Sequence, residues 1–241
     1  MKNWQKILIP TLIMVAIGAI YLFSVYRHRQ DPGVIGQKDL TQQTLSQDDL
    51  VVTRSFFPAH YEDLQRLVGT TVWMRNGYTI AYFPFAGGKV DFGEKVGLIP
   101  SAQRLEIEKI VKAVAPAKVD DGIGHGDRQV LAVFALPGSP ALYATPIGTI
   151  ESNEEAYYPD MLFFYDDPHT IYDHWPKEVW AAVDAHQPKA GMSEAEVRMA
   201  IGQKMHVDGP KEGDRKVTYD QDGKHWTVTF QKNRATEIKS E

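Results

Sequence analysis

The longest apolar stretch of the chain is the uncharged run Ile7–Tyr26. A helix rises about 1.5 Å per residue, so this run is about 30 Å long, which matches the hydrocarbon core of a bilayer. Basic side chains flank the run on both sides: Lys2, Lys6, Arg27 and Arg29. The pattern therefore predicts that residues 1–29 form a membrane anchor containing a single transmembrane helix.

A cleaved signal peptide is the alternative for this segment. Its apolar core would be about 7–15 residues long and would be followed by small residues, whereas this run is longer and ends in FSVYRHR. We expect the anchor to remain uncleaved. The basic flanks are nearly balanced, but the α-amino group and the short N-terminal flank favour an N-terminus inside the cell. The prediction is a single-pass protein of the inner (cytoplasmic) membrane, in contact with lipid through its helix, with an extracytoplasmic body.

Residues 30–50 are polar and aperiodic, which is typical of a spacer. Residues 51–156 then predict an antiparallel β-rich domain. Apolar positions alternate on both sides of Asn76-Gly77, a dipeptide suited to a type I′ turn, so residues 71–83 are expected to form a hairpin. Further strands are expected at 90–92, 129–136 and 141–150, and residues 105–114 fit either a strand or a helix, with a strand preferred. Short strands at this spacing favour a small SH3-like barrel.

The pattern changes again after residue 156. Residues 157–175 form a connector rich in aromatic residues, Asp and His. The remainder, 176–241, predicts two helices followed by three strands. The first helix begins near Pro176, and the second begins at Ser193, which forms a capping box with Glu196. Strands are expected at 216–220, 225–231 and 235–239, so the whole chain is assigned to the α+β class.

Charge excludes one class of partner. The chain has 241 residues, with 26 Lys and Arg against 31 Asp and Glu, and the first 29 residues hold four of the basic groups and no acid. The rest of the chain therefore carries a formal charge of −9. Nucleic-acid binding needs clustered basic side chains, so no nucleic-acid partner is expected. The chain has no cysteine, which excludes disulfides and an N-terminal lipid on cysteine.

The best candidate for a catalytic or metal site is a group of acidic and histidine residues: Asp166, Asp167, His169, Asp173, His174, Asp184 and His186. Carboxylates and imidazoles are the ligands that Zn²⁺ or Mn²⁺ would recruit. However, His169 and His174 are five residues apart, which does not place them on one helical face, and the chain has no H-E-x-x-H motif. We therefore expect helix capping and packing from these residues, with no catalytic, cofactor-binding or metal-binding residues and no cofactor.

The C-terminal region, about 176–239, resembles the BamE (SmpA/OmlA-type) domain of envelope proteins. The resemblance rests on the following residues: Gly191, Met192, Ser193, Val197, Ile201, Gly202, Thr227, Thr229 and Phe230. It implies a two-layer domain of two helices packed on a three-stranded antiparallel sheet, located in the cell envelope. Members of that family are scaffolds without an active site.

These observations predict a non-catalytic binding or scaffolding protein that is anchored in a membrane and has an envelope or membrane protein as its partner. Two alternatives stay open. One is an accessory single-helix subunit of a larger respiratory or photosynthetic complex. The other is a metal-dependent hydrolase that uses His169, Asp173 and His174. The sequence leaves the oligomeric state open.

Overall fold

The computed structural model describes residues 14, 16–26, 46–119, 123–124, 126–152, 154–221 and 223–240, and only the backbone of 204, 205 and 210. The chain separates into two units, Met1–Ser46 and Gln47–Glu241. In the first unit, helix α1 covers residues 16–26, and Met14 is also helical. All other elements lie in the second unit.

The helices of the second unit are short, and its strands fall into two groups along the chain. The helices are α2 (Tyr61–Leu64), α3 (Pro159–Leu162), α4 (Pro168–Ile171), α5 (Lys177–Asp184) and α6 (Glu194–Ile201). The first group of strands is β1 (Thr71–Met74), β2 (Ala81–Ala86), β3 (Lys89–Val90), β4 (Gly97–Leu98), β5 (Arg104–Val114), β6 (Arg128–Ala135), β7 (Leu142–Glu151), β8 (Glu154–Tyr157) and β9 (Phe163–Phe164). The second group is β10 (Lys204–Lys211), β11 (Asp214–Gln221), β12 (Lys224–Gln231) and β13 (Arg234–Ser240).

The first nine strands form one antiparallel sheet in the order β3-β2-β7-β6-β5-β1-β9, with β4 on β2 and β8 on β7. Strand β6 lies at its centre and is almost continuously apolar because both of its faces are covered. Val130, Ala132 and Phe134 face one hydrophobic core, while Leu131 and Val133 face another. Strands β5 and β7, which pair with β6 on its two sides, are the other long strands of the sheet.

The β1–β9 end of this sheet contributes to two cores. In β1, Val72 and Met74 are buried in the core of the first sheet, whereas Trp73 packs against the core of the second sheet. In β9, Phe163 is buried in the core of the first sheet and Phe164 in the core of the second sheet. Successive side chains of a strand point to opposite faces, so these two short strands hold the two sheets together.

The second sheet has four antiparallel strands in the order β10-β11-β12-β13, and α5 and α6 contribute to the same core. Helix α6 begins at the predicted capping box. The Ser193 hydroxyl accepts from the Glu196 N–H at 3.2 Å, and the Glu196 carboxylate accepts from the Ser193 N–H at 2.6 Å. The helix ends before Gly202, whose φ of +90° only glycine adopts without strain.

The predicted fold class is wrong. The protein is mostly β-structure with two antiparallel sheets, and the second sheet has four strands where three were expected. The first sheet is open, since β3 and β9 end it without pairing with each other, so it is not the expected SH3-like barrel. No helix among the described residues is long and apolar enough to cross a membrane. Residues 1–13, 15 and 27–29 of the expected anchor, and residues 30–45 of the expected spacer, lie outside the described residues.

The expected hairpin around Asn76-Gly77 is also wrong. Gly77 does adopt a positive φ of +92°, so the chain turns there. However, β1 pairs with β5 and β9, and β2 pairs with β3, β4 and β7. The Asn-Gly dipeptide sets only the local turn, whereas strand pairing follows the burial of Val72 and Met74 against residues distant in sequence.

Candidate functional site

The acidic and histidine residues singled out in the sequence do not converge on one point. His169 lies between Asp167 and Asp184, with its Nδ1 2.9 Å from Asp167 Oδ1 and its Nε2 3.2 Å from Asp184 Oδ1. The Nε2 of His174 instead lies 2.6 Å from Asp48 Oδ1. The remaining candidates take other positions: Asp166 pairs with Arg54, Asp173 is exposed, and His186 follows the end of α5.

A hydrogen bond to its backbone and a stacking contact of its ring fix the position of His169. Asp167 caps α4 by accepting a hydrogen bond from the backbone N–H of His169 at 2.9 Å. The imidazole ring stacks on Trp180 of α5, with 4.0 Å between ring centroids and 26° between planes. A neutral imidazole has one N–H, so both nitrogens donate to the two carboxylates only in the protonated ring. The arrangement fixes His169 in place and leaves neither ring nitrogen directed at a ligand.

An open cleft of about 310 Å³ adjoins this histidine, and we call it the histidine cleft. It is lined by Trp73, Ala102, Gln103, Arg104, Asp167, His169, Val183, Asp184 and His186. Within the described ranges, no group of three or more acidic or histidine side chains is placed to hold a metal ion. The cleft therefore contains charged and aromatic groups. The two ring nitrogens of His169 in it already lie within hydrogen-bonding distance of Asp167 and Asp184.

A second depression, which we call the arginine groove, has a volume of about 260 Å³. It is lined by Arg54, Ser55, Phe56, Arg66, Leu67, Thr70, Thr71 and Tyr165. Leu67 and Tyr165 are buried and form an apolar floor. The guanidinium of Arg66 lies 5.1 Å from the centre of the Phe56 ring, a distance at which a cation is attracted to an aromatic face. The groove thus combines apolar surface, hydroxyl groups and two guanidinium groups.

One carboxylate holds the extended segment that forms a wall of this groove. The two oxygens of Asp160 accept hydrogen bonds from the backbone N–H groups of Phe56 and Phe57, each at 2.7 Å. Phe57 has a φ of +51°, which is costly for a non-glycine residue, and its side chain is 80% exposed. Arg75 braces the same segment by donating to the Asp160 carbonyl at 2.7 Å and to the Thr53 hydroxyl at 2.6 Å. The wall is therefore held in a fixed conformation.

The charge of the arginine groove comes from its guanidinium groups. Arg54 donates to the backbone carbonyl of Tyr165 and pairs with Asp166 at 3.2 Å, on the exposed side of the protein. Burial raises the pKa of the Tyr165 hydroxyl well above its ordinary value, and this side chain adds no charge to the groove. Asp63 lies close enough to Arg66 to interact with it electrostatically. The groove is therefore lined by two guanidinium groups, each with a carboxylate near it.

The sequence contained no pattern that indicated this groove. Its residues come from three segments, around positions 54–56, 66–71 and 165, and only tertiary packing brings them together. The composition of residues 157–175 does mark this connector as unusual, and capping and packing are the roles that the sequence predicts for its histidines. The metal-hydrolase alternative needs His169, Asp173 and His174 together, whereas His169 lies beside Asp167 and His174 lies beside Asp48.

Comparisons with known protein families, with characterised proteins and with solved structures found no match to this chain. Because none of these comparisons bears on the BamE-like region, the resemblance of residues 176–239 stays a prediction.

Proposed function

We propose that this chain is a non-catalytic binding or scaffolding protein of the cell envelope, and that its arginine groove receives an acidic segment of an envelope or membrane protein partner. The observation that carries the proposal is the composition of the groove: two guanidinium groups stand over an apolar floor, in a chain whose body carries an excess of acid. An acidic segment with one apolar side chain would complement both features.

Two physical arguments favour binding over turnover. The wall of the groove is held by Asp160 and Arg75, and a preformed site loses little entropy when a partner docks. Guanidinium groups also bind carboxylates through two parallel hydrogen bonds, which adds geometric specificity. A carboxylate placed at Arg66 would be fixed in orientation, while its neighbouring apolar side chain would lie on Leu67 and Tyr165.

We propose further that the protein lies at the cytoplasmic membrane with its body outside the cytoplasm. The uncharged run Ile7–Tyr26 supports a place at the cytoplasmic membrane, and the resemblance of residues 176–239 to an envelope domain supports an extracytoplasmic body. Protease added to intact spheroplasts would degrade a body on that side and would spare a body in the cytoplasm.

Site-specific photocrosslinking tests the binding site. A photoreactive amino acid at Ser55 or Thr70, in the full-length chain expressed in its own host, should give a defined adduct with one envelope protein. Arg66→Glu should weaken that adduct about tenfold or more, because it replaces an attraction by a repulsion. An excess of an acidic peptide containing phenylalanine should compete with the adduct, whereas a basic peptide of the same length should not.

The matched control for Arg66→Glu is Arg104→Glu, because Arg104 is an exposed arginine paired with Glu106 and does not line the groove. This variant should leave the adduct unchanged. An adduct that survives Arg66→Glu, or that Arg104→Glu weakens equally, would show that the partner does not dock through the groove.

A further inference from the structure

The two edges of the second sheet differ in their ability to accept another strand. Edge strands expose N–H and C=O groups that can pair with a further chain, and proteins usually block such edges with irregular backbone or proline. Strand β10 is blocked in this way. Its pairing with β11 shifts register twice, between Lys204/His206 and between Asp208/Lys211, and it contains Gly209 and Pro210. Strand β13, at the opposite edge, contains neither glycine nor proline.

The register of β13 identifies which of its backbone groups point outward. At Ala235 both groups face away from β12, because its N–H donates to the Met192 carbonyl at 2.8 Å and its carbonyl accepts from the Gly191 N–H at 2.9 Å. A bulge between Thr229 and Phe230 then adds one residue on β13. Outward groups alternate along a strand, so the next residues that direct both groups outward are Ile238 and Ser240.

The described residues place no strand against this outer edge, since β13 ends the order β10-β11-β12-β13. The side chains that stand along it carry opposite charges. Glu237 and Lys239 lie on one face, 57% and 64% exposed, with 2.9 Å between Glu237 Oε1 and Lys239 Nζ. Ile238 lies on the other face, against the core formed with α5 and α6. Beyond the bulge and the contacts of Ala235 with Gly191 and Met192, the edge from Glu237 to Ser240 is therefore regular, polar on one face and apolar on the other.

We infer that β13 is a homodimer interface, at which a second copy of this chain pairs its own β13 antiparallel about a two-fold axis through Ile238. In this register Ile238 lies opposite Ile238 of the second copy, and Glu237 lies opposite Lys239 of the second copy. The axis repeats each contact, so two Glu–Lys pairs form across the interface. The two four-stranded sheets then continue as one.

Charge complementarity identifies a second copy as the occupant. Glu237 and Lys239 lie symmetrically on either side of Ile238. When a second copy runs antiparallel, each acid therefore faces a base, and a strand from another protein is not needed. Opposite charges facing each other on adjacent strands are stabilising, whereas like charges are destabilising. A shift of the register by two residues would remove both Glu–Lys pairs. The charges therefore select one register as well as one partner.

Cysteine crosslinking of the full-length chain in its membrane fraction tests this pairing. The chain has no cysteine, so Ile238→Cys introduces the sole thiol. Directly opposed residues in an antiparallel pair are about 4.5–5.5 Å apart between Cα atoms, within the range that a disulfide spans. Mild oxidation should convert most of the protein to a covalent dimer. The controls Asp208→Cys, on the β10 edge, and Arg234→Cys, beyond the paired residues, should remain monomeric.

Charge reversal separates specific pairing from random collision. In the Ile238→Cys background, Glu237→Lys or Lys239→Glu alone places like charges opposite each other twice, and each should lower the crosslinked fraction about tenfold. Differently tagged copies of these two variants, expressed together, should crosslink to each other as efficiently as the parent. In the mixed dimer every charged position again faces its opposite.

Restored crosslinking in the mixture would establish the two-fold register, because a variant that merely fails to fold is not rescued by another. Three results would overturn the inference: crosslinking through Asp208→Cys in preference to Ile238→Cys, no dimer with Ile238→Cys, or a dimer that the charge reversals do not weaken. A thiol at position 238 captured by a different protein would point instead to a foreign strand at this edge.

Discussion

The carboxylate of Glu194 is paired with the guanidinium of Arg215 inside the second sheet domain. Arg215 donates to Glu194 Oε2 at 3.0 Å and to Oε1 at 2.6 Å, and the Glu194 side chain is 1% exposed. Glu194 Oε2 also accepts from the backbone N–H of Gly213 at 3.0 Å. The first turn of α6 is thereby joined to the turn between β10 and β11.

Removing one member of this pair is expected to be costly. Glu194→Ala would remove the buried acceptor of a partly buried guanidinium, 14% exposed, and of the backbone N–H of Gly213. Breaking a buried ion pair typically costs about 3–5 kcal/mol. Urea unfolding of the purified protein, followed by tryptophan fluorescence, measures the loss. Glu212→Ala is the control, since Glu212 is 62% exposed and 3.8 Å from the same arginine, and it should cost less than about 1 kcal/mol. Equal losses in both variants would contradict the assignment.

Asp48 anchors the start of the folded body to the aromatic connector. Its Oδ1 accepts from the indole N–H of Trp175 at 2.7 Å and lies 2.6 Å from His174 Nε2. Asp48→Ala would leave the indole N–H of a buried tryptophan unpaired, which costs about 1–3 kcal/mol. Thermal unfolding should show this loss, with a smaller one for Asp48→Asn because an acceptor oxygen remains. Asp173→Ala, an exposed aspartate beside His174, should be nearly neutral.

The raised pKa of Tyr158 predicts that the protein loses stability at alkaline pH. Burial raises this pKa from 10.0 to about 12. Between these values the unfolded chain releases the proton while the folded protein retains it, so the free energy of unfolding falls as pH rises from 10 towards 12. The slope is at most about 1.4 kcal/mol per pH unit for one group. Urea titrations at pH 8, 10 and 11 measure this fall.

The variant Tyr158→Phe should lose less stability than the parent over the same pH range, because its ring cannot ionise. Tyr78→Phe, in which an exposed tyrosine is replaced, is the matched control and should follow the parent. Burial also raises the pKa of Tyr172, so a part of the alkaline loss will persist in Tyr158→Phe. A variant curve parallel to that of the parent would contradict the raised pKa of Tyr158.

Tyr219 carries a buried hydroxyl that has no hydrogen-bond partner among the described residues. Its ring is fully buried in the core beneath α5 and α6. Because an unpaired buried hydroxyl costs about 1–3 kcal/mol, Tyr219→Phe is expected to be neutral or to raise stability by about 1 kcal/mol. Tyr219→Ala, which removes the ring as well, should lower stability by about 3–5 kcal/mol. Destabilisation by the phenylalanine variant would reveal a hydrogen bond to this hydroxyl.

Local features of this protein could be predicted from the sequence where neighbouring residues decide them. The capping box of Ser193 and Glu196, the stop at Gly202 and the apolar strand around residues 129–136 all depend on interactions within a few residues or on a continuous buried pattern. Such features need no knowledge of distant segments. For the same reason the turn at Gly77 was expected, although the strands on either side of it do not pair with each other.

Contacts between distant segments were decided by the tertiary structure alone. The sequence by itself determined local features such as the start of α6 at Ser193 and the turn at Gly77, because capping and turn chemistry are local, but it did not indicate β9 or β10. Burial of Val72, Met74 and Phe163 against one core, and of Trp73 and Phe164 against another, decided that β1 joins β5 and β9 in an open sheet. The same packing created the arginine groove and separated His169 from His174, since side chains meet only where the whole chain can bury its apolar surface.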